Sequence, residues 1–149
     1  MRRVLRSAGY DLELNAARID RPHVPRLADV VHAWRGVGVA IRLDWPRWRG
    51  LLDELAREPA YVPEAIYPPP PPAGDAVVDA LVAAVAEKLA DDASIPRPSW
   101  TRSVPALEVP YRPPVVRAGT SQAIAPQLET RGLLIDTASL WRDPVTIGV

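Results

Sequence analysis

The sequence predicts a mainly α-helical fold: three amphipathic helices with long, proline-rich irregular connections and a few short strands. Apolar residues recur at helical spacing near residues 26–35, 44–58 and 75–92. Eighteen of the 149 residues are proline, and each removes a backbone donor and fixes φ. Alternation of apolar and polar residues is confined to short stretches such as residues 10–14 and 37–43. Regular structure is therefore expected to be helical and interrupted.

The N-terminal segment is expected to hold a short helix, a strand and a loop. The helix covers residues 2–8 and ends at Gly9, since glycine tolerates the left-handed conformation that follows many helices. Residues 10–14 then follow the period of a half-buried strand, and residues 15–25 form the loop.

The first two amphipathic helices each carry a continuous apolar stripe. The stripe of the first consists of Leu27, Val30, Val31 and Trp34. The stripe of the second consists of Trp48, Leu51, Leu52 and Leu55. Asp44 is placed to cap the second helix, and Pro46 stands in its first turn, where a missing N–H costs nothing. Pro59 is expected to end it.

These patterns divide the chain into three units. An N-terminal helical unit spans residues 1–58, a proline-rich linker spans 59–74, and a helix with an extended tail spans 75–149. The five consecutive prolines Pro68–Pro72 favour polyproline II, which makes the linker a stiff spacer. We interpret it as a hinge between two helical units; the alternative is a ligand for a proline-binding domain.

The third helix, over residues 75–92, has the strongest pattern. Asp75 is placed to cap it, and alanines on its flanks favour helix formation and close helix approach. Its stripe consists of Val78, Leu81, Val82, Val85 and Leu89. Asp91 and Asp92 would stand at the negative end of the helix dipole, so an end of the helix before them is the alternative.

The segment after Pro96 lacks any helical or strand period over residues 97–119, where it holds five prolines. One or two helical turns over residues 122–131, a short strand from Leu133 to Ile135 and a final turn from Thr137 follow. A proline-fixed backbone loses little entropy on binding, so we expect residues 96–142 to wrap a partner.

Three aromatic side chains of this segment, Trp100, Tyr111 and Trp141, are of the kind that anchors interfaces. The alternative interpretation is that Trp100 and Trp141 cover the helical core of this same chain. Both interpretations can hold at once.

The composition excludes several classes of protein. The net charge is zero, so no overall field steers the chain to nucleic acid. The absence of cysteine excludes disulfides, thiolate metal sites and thiol nucleophiles, and it fits a cytoplasmic protein. No apolar run is long enough to span a membrane, and the start of the chain lacks the pattern of a signal peptide.

The sequence shows no set of catalytic or metal-binding residues. His23 and His32 do not form a metal-ligand spacing with each other or with carboxylates. The carboxylates of Asp53 and Glu54 are neighbours on a helix and do not share a face. We therefore expect no catalytic residue, metal or cofactor, and an enzyme of unknown type remains only an alternative.

A basic cluster beside two tryptophans is the candidate for nucleic-acid contact. Arg42, Arg47 and Arg49 lie near Trp45 and Trp48, at the start of the second helix. Arginines at a helix N-terminus can meet phosphate, and tryptophan can stack on bases. Trp48, however, belongs to the apolar stripe and is better used in the core.

Four segments together resemble one family. They are "AGYDLEL" (residues 8–14), "LADDASIPRPSWT" (89–101), "VPALEVPY" (104–111) and "APQLETRGLLIDTASLWR" (125–142). They are similar to the region downstream of the helix-turn-helix domain in actinobacterial Xre-type antitoxins and regulators. Leu128 departs from the pattern, in which an aromatic residue is usual. The helix-turn-helix domain, which would precede Arg2, is missing from these residues, so we expect a fragment or a member without that domain.

The resemblance implies an antitoxin-like binder that neutralises a partner toxin, often a nucleotidyltransferase-like protein. A DNA-binding regulator of its own operon is the alternative, and a homo-oligomer is compatible with both. The residues that we expect at the partner surface are Trp100, Leu107, Tyr111, Leu128, Arg131, Leu134, Leu140 and Trp141.

Overall fold

A computed structural model describes residues 24–34, 44–112 and 123–140. Their α-helices are α1 (Leu27–Trp34), α2 (Trp45–Arg57), α3 (Val62–Ile66), α4 (Ala76–Asp92) and α5 (Pro126–Glu129). Their 3-10 helices are η1 (Pro59–Tyr61), η2 (Ser99–Ser103) and η3 (Thr137–Leu140). The mainly α-helical fold class is confirmed. None of these helices is long and apolar enough to cross a membrane.

Strand-like pairing in the described residues amounts to one parallel bridge, between Tyr111 and Leu133. The strand expected from Leu133 to Ile135 is thus reduced to this bridge. The strands expected at residues 10–14 and 37–43 lie outside the described residues.

Helix α4 lies at the centre of the molecule and is contacted by α3, α5 and η2. Its buried side chains are Val78, Ala80, Leu81, Val82, Ala83, Ala84, Val85, Ala86, Glu87, Leu89 and Ala90. A helix that is apolar or small nearly all round is one that neighbours cover on all sides. The alanines that the sequence places on the flanks of a stripe are therefore core residues. At its start, the Asp75 carboxylate accepts hydrogen bonds from the N–H groups of Val77 and Val78.

Helix α4 continues through Asp92, as the expected range 75–92 has it, and the alternative end before Asp91 is wrong. Basic side chains offset the unfavourable position of the two carboxylates at the helix end. Arg97 binds Asp91 at 2.6 Å, and Lys88 binds Asp92 at 2.7 Å. The helix then ends in a left-handed residue, Ser94, with φ of 55°.

Helices α1 and α2 follow the sequence prediction closely. The Asp44 carboxylate accepts a hydrogen bond from the N–H of Arg47, which caps α2. The whole predicted stripe of α2, Trp48, Leu51, Leu52 and Leu55, is buried. In α1, the buried side chains include Leu27, Val30 and Val31.

The segment expected to be a linker differs from that expectation over residues 59–66. These residues form η1 and α3, and the side chains of Val62, Ala65 and Ile66 are buried. Proline is compatible with these short helices because it stands in their first turns, where its missing N–H is not needed. Residues on both sides of this segment contribute to one continuous core.

The carboxyl-terminal segment packs against the helices of its own chain. Helix α5 packs on α4, and η3 packs on α2. Its apolar side chains Leu128, Leu133, Ile135 and Leu140 are buried in the common core. Gly132 has a φ of +79° and ends α5 with two reversed hydrogen bonds, from Leu133 N–H to Leu128 O and from Gly132 N–H to Glu129 O.

Candidate binding groove

Two proline-containing segments flank a groove with a volume of about 760 Å³. One wall is Pro69–Pro72, and the other is Ser103–Val109. Residues of α1, α4 and η2 complete the lining; they are Val31, Ala76, Asp79, Val82 and Trp100, with Gly74 and Asp75 just before α4. We call this feature the proline groove. Its size falls within the range of ordinary ligand-binding sites.

The wall formed by Pro69–Pro72 is fixed at both of its ends. Before it, the Trp100 indole N–H donates to the carbonyl oxygen of Ile66 at 2.8 Å. The hydroxyl of Tyr67 donates to the carbonyl oxygen of Pro96 at 3.0 Å. After it, the N–H of Ala73 donates to the Asp79 carboxylate at 2.8 Å. The prolines, with φ fixed by their rings, thus have few ways to move between two anchored ends.

The wall formed by Ser103–Val109 is held by Arg131. The guanidinium of Arg131 donates to the carbonyl oxygens of Thr101 and Val104, both at 2.8 Å. The N–H of Leu107 donates to the carbonyl oxygen of Arg131 at 3.0 Å. Arg131 therefore holds the start of the wall with its side chain and the middle with its backbone.

Arg131 is itself neutralised by Glu87 of α4, and both side chains are buried. Glu87 also pairs with Arg97 at 3.2 Å. The Nε of Arg131 is buried and has no hydrogen-bond partner among the described residues. A buried charge in this setting is stable only because its partner charge and several carbonyl oxygens surround it.

A second, more exposed network adjoins this pair at the end of α4. The Asp91 carboxylate accepts hydrogen bonds from Arg97 at 2.6 and 2.9 Å and from Gln127 at 2.7 Å. The hydrogen bonds from Arg97, and then that from Gln127, lower the pKa of Asp91 from its ordinary 3.8 to about 2. The network therefore connects α4, α5 and the segment between α4 and η2.

The charged side chains that line the proline groove are all acidic: Asp75, Asp79 and Glu108. Trp100 and Ser103 are the only lining residues with a neutral side-chain donor. Both donors are engaged within the chain, since the Trp100 indole binds Ile66 O and the Ser103 hydroxyl binds Trp100 O at 2.7 Å. The groove is consequently apolar, negatively charged and poor in available side-chain donors.

Val109, at the end of the second wall, is the most exposed large apolar side chain in the described residues, with 79% of its surface accessible. Tyr67, next to the first wall, is also exposed. Apolar exposure in the described part of the molecule is thus concentrated near the groove. Exposed apolar surface beside a concave site is typical of binding surfaces.

The structure places two of the eight expected partner-binding residues, Trp100 and Leu107, in the lining of the groove. Tyr111 and Leu134 are half-buried, and the Leu134 N–H donates to Tyr111 O at 2.8 Å. Trp141 lies outside the described residues.

The remaining three expected residues require a correction. Leu128 and Leu140 are fully buried in the core of this chain, and Arg131 is buried against Glu87. Their side chains are therefore not exposed to a partner in this conformation. Their apolar contacts and the buried ion pair instead attach the carboxyl-terminal segment to the helices.

The basic cluster proposed for nucleic acid is only partly described. Arg42 lies outside the described residues, and Arg47 is exposed. Arg49 is half-buried, with its guanidinium 5.6 Å from the centre of the Trp45 ring. Nucleic-acid contact through these residues stays a prediction. The part of the chain that the structure describes holds no group of three or more His, Asp or Glu residues that could bind a metal ion.

Sequence reasoning missed the pairing of the two walls. The sequence shows the run Pro68–Pro72 as a stiff segment. Its position beside Ser103–Val109 depends on the hydrogen bonds of Trp100 and Tyr67, each of which joins residues about thirty positions apart in the sequence. The acidic lining was also missed, because Asp75 and Asp79 have ordinary structural roles: Asp75 caps α4, and Asp79 accepts a hydrogen bond from the N–H of Ala73.

Comparisons with known proteins identify no relative: no protein-family model, no curated protein and no solved structure matches this chain.

Proposed function

We propose that this chain is a non-enzymatic, cytoplasmic protein that binds and neutralises a partner toxin, and that the proline groove is its binding site. The observation that carries the proposal is the groove itself, whose two walls are fixed by hydrogen bonds to the rest of the fold. The toxin as partner, with a nucleotidyltransferase-like protein as one expected type, comes from the family resemblance described above.

Rigid walls favour binding. A segment that is already held in place loses little conformational entropy when a partner contacts it, so more of the contact energy appears as affinity. Pro69–Pro72 are restricted by their rings, and Ser103–Val109 are held by Arg131. The exposed side chain of Val109 adds apolar surface that a partner can cover.

Trp100 has a structural role in addition to any role at the surface. It is half-buried, packs against the core and binds Ile66 O. We therefore expect its replacement by alanine to lower stability, so that it is a poor test of binding alone. Ala106 is a better position, because it is exposed and lines the groove.

The test is co-expression with the product of the neighbouring gene. We expect wild-type chain to restore growth and to form a stoichiometric complex, measured by size-exclusion chromatography with light scattering. The Ala106→Trp variant should lose both effects while keeping the thermal stability of the wild type. The matched control is Ala60→Trp, since Ala60 is exposed in η1 and lies away from the lining.

Two results would contradict the proposal. If the wild-type chain forms no complex and does not restore growth, the product of the neighbouring gene is not its partner. An Ala106→Trp variant that rescues growth as well as Ala60→Trp would show that the groove is not the contact surface. If the DNA-binding alternative holds instead, the wild-type chain will shift its own promoter in a gel, and the shift will disappear as salt is raised.

A further inference from the structure

The hydrogen-bonding groups around the proline groove are strongly unbalanced toward acceptors. Its charged side chains, Asp75, Asp79 and Glu108, are acceptors when ionised. Its two neutral side-chain donors, on Trp100 and Ser103, are already engaged within the chain. A ligand in this groove therefore finds acceptors and negative charge but few side-chain donors.

The backbone of the walls increases the imbalance. Pro69–Pro72 have carbonyl oxygens but no N–H groups, and Pro105 has none in the opposite wall. The N–H of Val104 donates to Thr101 O, and the N–H of Leu107 donates to Arg131 O. A partner strand consequently finds no N–H group along Pro69–Pro72, and in the opposite wall those of Val104 and Leu107 are already engaged.

From these observations we infer that the proline groove binds an extended segment of the partner protein in which an arginine or lysine is flanked by apolar residues. This inference rests on the function proposed above. Arginine brings five donors and no acceptor, and lysine brings three donors, so both match the acceptors of the groove. The apolar flanks match the proline, valine and leucine side chains of the lining. An acidic or phosphorylated segment would instead face three carboxylates.

The acidic lining can be neutralised without removing its structural hydrogen bonds. In the variant Asp75→Asn/Asp79→Asn/Glu108→Gln, asparagine at position 75 can still cap α4, because Asn and Asp are comparable N-cap residues. Asparagine at position 79 can still accept the hydrogen bond from Ala73. We call this variant the neutral-groove variant.

The matched control carries the same change in net charge away from the groove. Glu54, Glu58 and Glu129 are exposed and do not line it. The control is therefore Glu54→Gln/Glu58→Gln/Glu129→Gln. It separates an effect of the acidic lining from an effect of the overall field of the molecule.

The probe is a displayed library of random decapeptides, selected on the full chain and counter-selected on the Ala106→Trp variant. We expect enriched peptides to carry Arg or Lys between apolar residues. The best synthetic peptide, measured by fluorescence anisotropy, should bind the neutral-groove variant about tenfold or more weakly than wild type, since a close charge pair is lost. The control should bind as tightly as wild type, and replacing the basic residue with glutamate should abolish binding.

Several outcomes would overturn the inference. These are enrichment of acidic or uncharged peptides, no enrichment, or equal affinity of the best peptide for wild type and the neutral-groove variant. Self-association of the wild-type chain that Ala106→Trp abolishes, measured by sedimentation velocity, would make a second copy the occupant and would also overturn it.

The two proposals fail in distinguishable ways. If the neighbouring gene product binds wild-type and neutral-groove chains equally but fails to bind Ala106→Trp, the proposed function stands and the basic segment is excluded. If that product binds none of them, the proposed function fails, while the peptide selection still decides whether the groove prefers a basic segment.

Discussion

Replacing Arg131 by methionine should destabilise the fold by about 3 to 5 kcal/mol, because it leaves Glu87 charged and buried without its main partner. The carbonyl oxygen of Val104 also loses the guanidinium donor, and that of Thr101 keeps only the N–H of Val104. Arg97 stays 3.2 Å from Glu87, but its side chain is half exposed, so it compensates only in part. We therefore place the expected loss at the lower end, at about 3 kcal/mol.

The measurement is urea unfolding of the full chain, followed by circular dichroism and extrapolated linearly to water. The control is Arg102→Met, an exposed residue of η2, which should change the free energy of unfolding by less than about 0.5 kcal/mol. The double variant Glu87→Met/Arg131→Met should be more stable than Arg131→Met alone, because it removes the stranded charge. An Arg131→Met variant within about 1 kcal/mol of wild type would refute the assigned role of the pair.

Three further changes test the ends of the helices and the network beside them. Ser94→Gly should raise the free energy of unfolding by up to about 1 kcal/mol, because glycine adopts a positive φ without strain; an unchanged or lower urea midpoint would contradict this. Gly132→Ala should lower it by about 1 to 2 kcal/mol, since its φ is +79° and a Cβ would lie 3.3 Å from that of Leu107; wild-type stability would exclude this strain. The lowered pKa of Asp91 stabilises the fold fully above its ordinary pKa of 3.8, and this stability is lost as pH falls toward about 2. Asp91→Asn should therefore flatten the dependence of the urea midpoint on pH between 4 and 2, and an unchanged slope would argue against the network.

The three long helices could be predicted because their signals are local. The expected ranges 26–35, 44–58 and 75–92 agree with α1, α2 and α4 to within one residue at each end. Asp44 and Asp75 cap the two helices whose starts they mark in the sequence. An apolar stripe and a capping residue act within a few residues of each other, so the sequence alone contains both.

Helix α3 could not be predicted in the same way. A helix of five residues is not stable by itself, and its formation depends on the burial of Val62, Ala65 and Ile66 in a core that other segments build. Its proline-rich surroundings favoured a linker. The burial of Glu87 could not be predicted for the same reason, because its partner Arg131 is 44 residues away in the sequence.

The sequence alone located only part of the candidate site. The segment after Pro96 was expected to matter for binding, and Trp100 and Leu107 do line the groove. Arg131 was expected at the partner surface from the family resemblance, and arginine is seldom buried unless it is paired. Only the packing of α5 on α4 shows that this side chain enters the core instead.

Packing of the carboxyl-terminal segment on its own helices does not exclude partner binding, and the two can be separated by experiment. Leu128 and Leu140 attach this segment to the core, whereas Val109 and Ala106 remain exposed at the groove. A change at Arg131 should therefore weaken binding together with the free energy of unfolding, because the wall loses its support. A change at Ala106 should weaken binding while the free energy of unfolding stays constant. If both positions affected binding only in proportion to stability, the exposed surface of the groove would have no recognition role of its own.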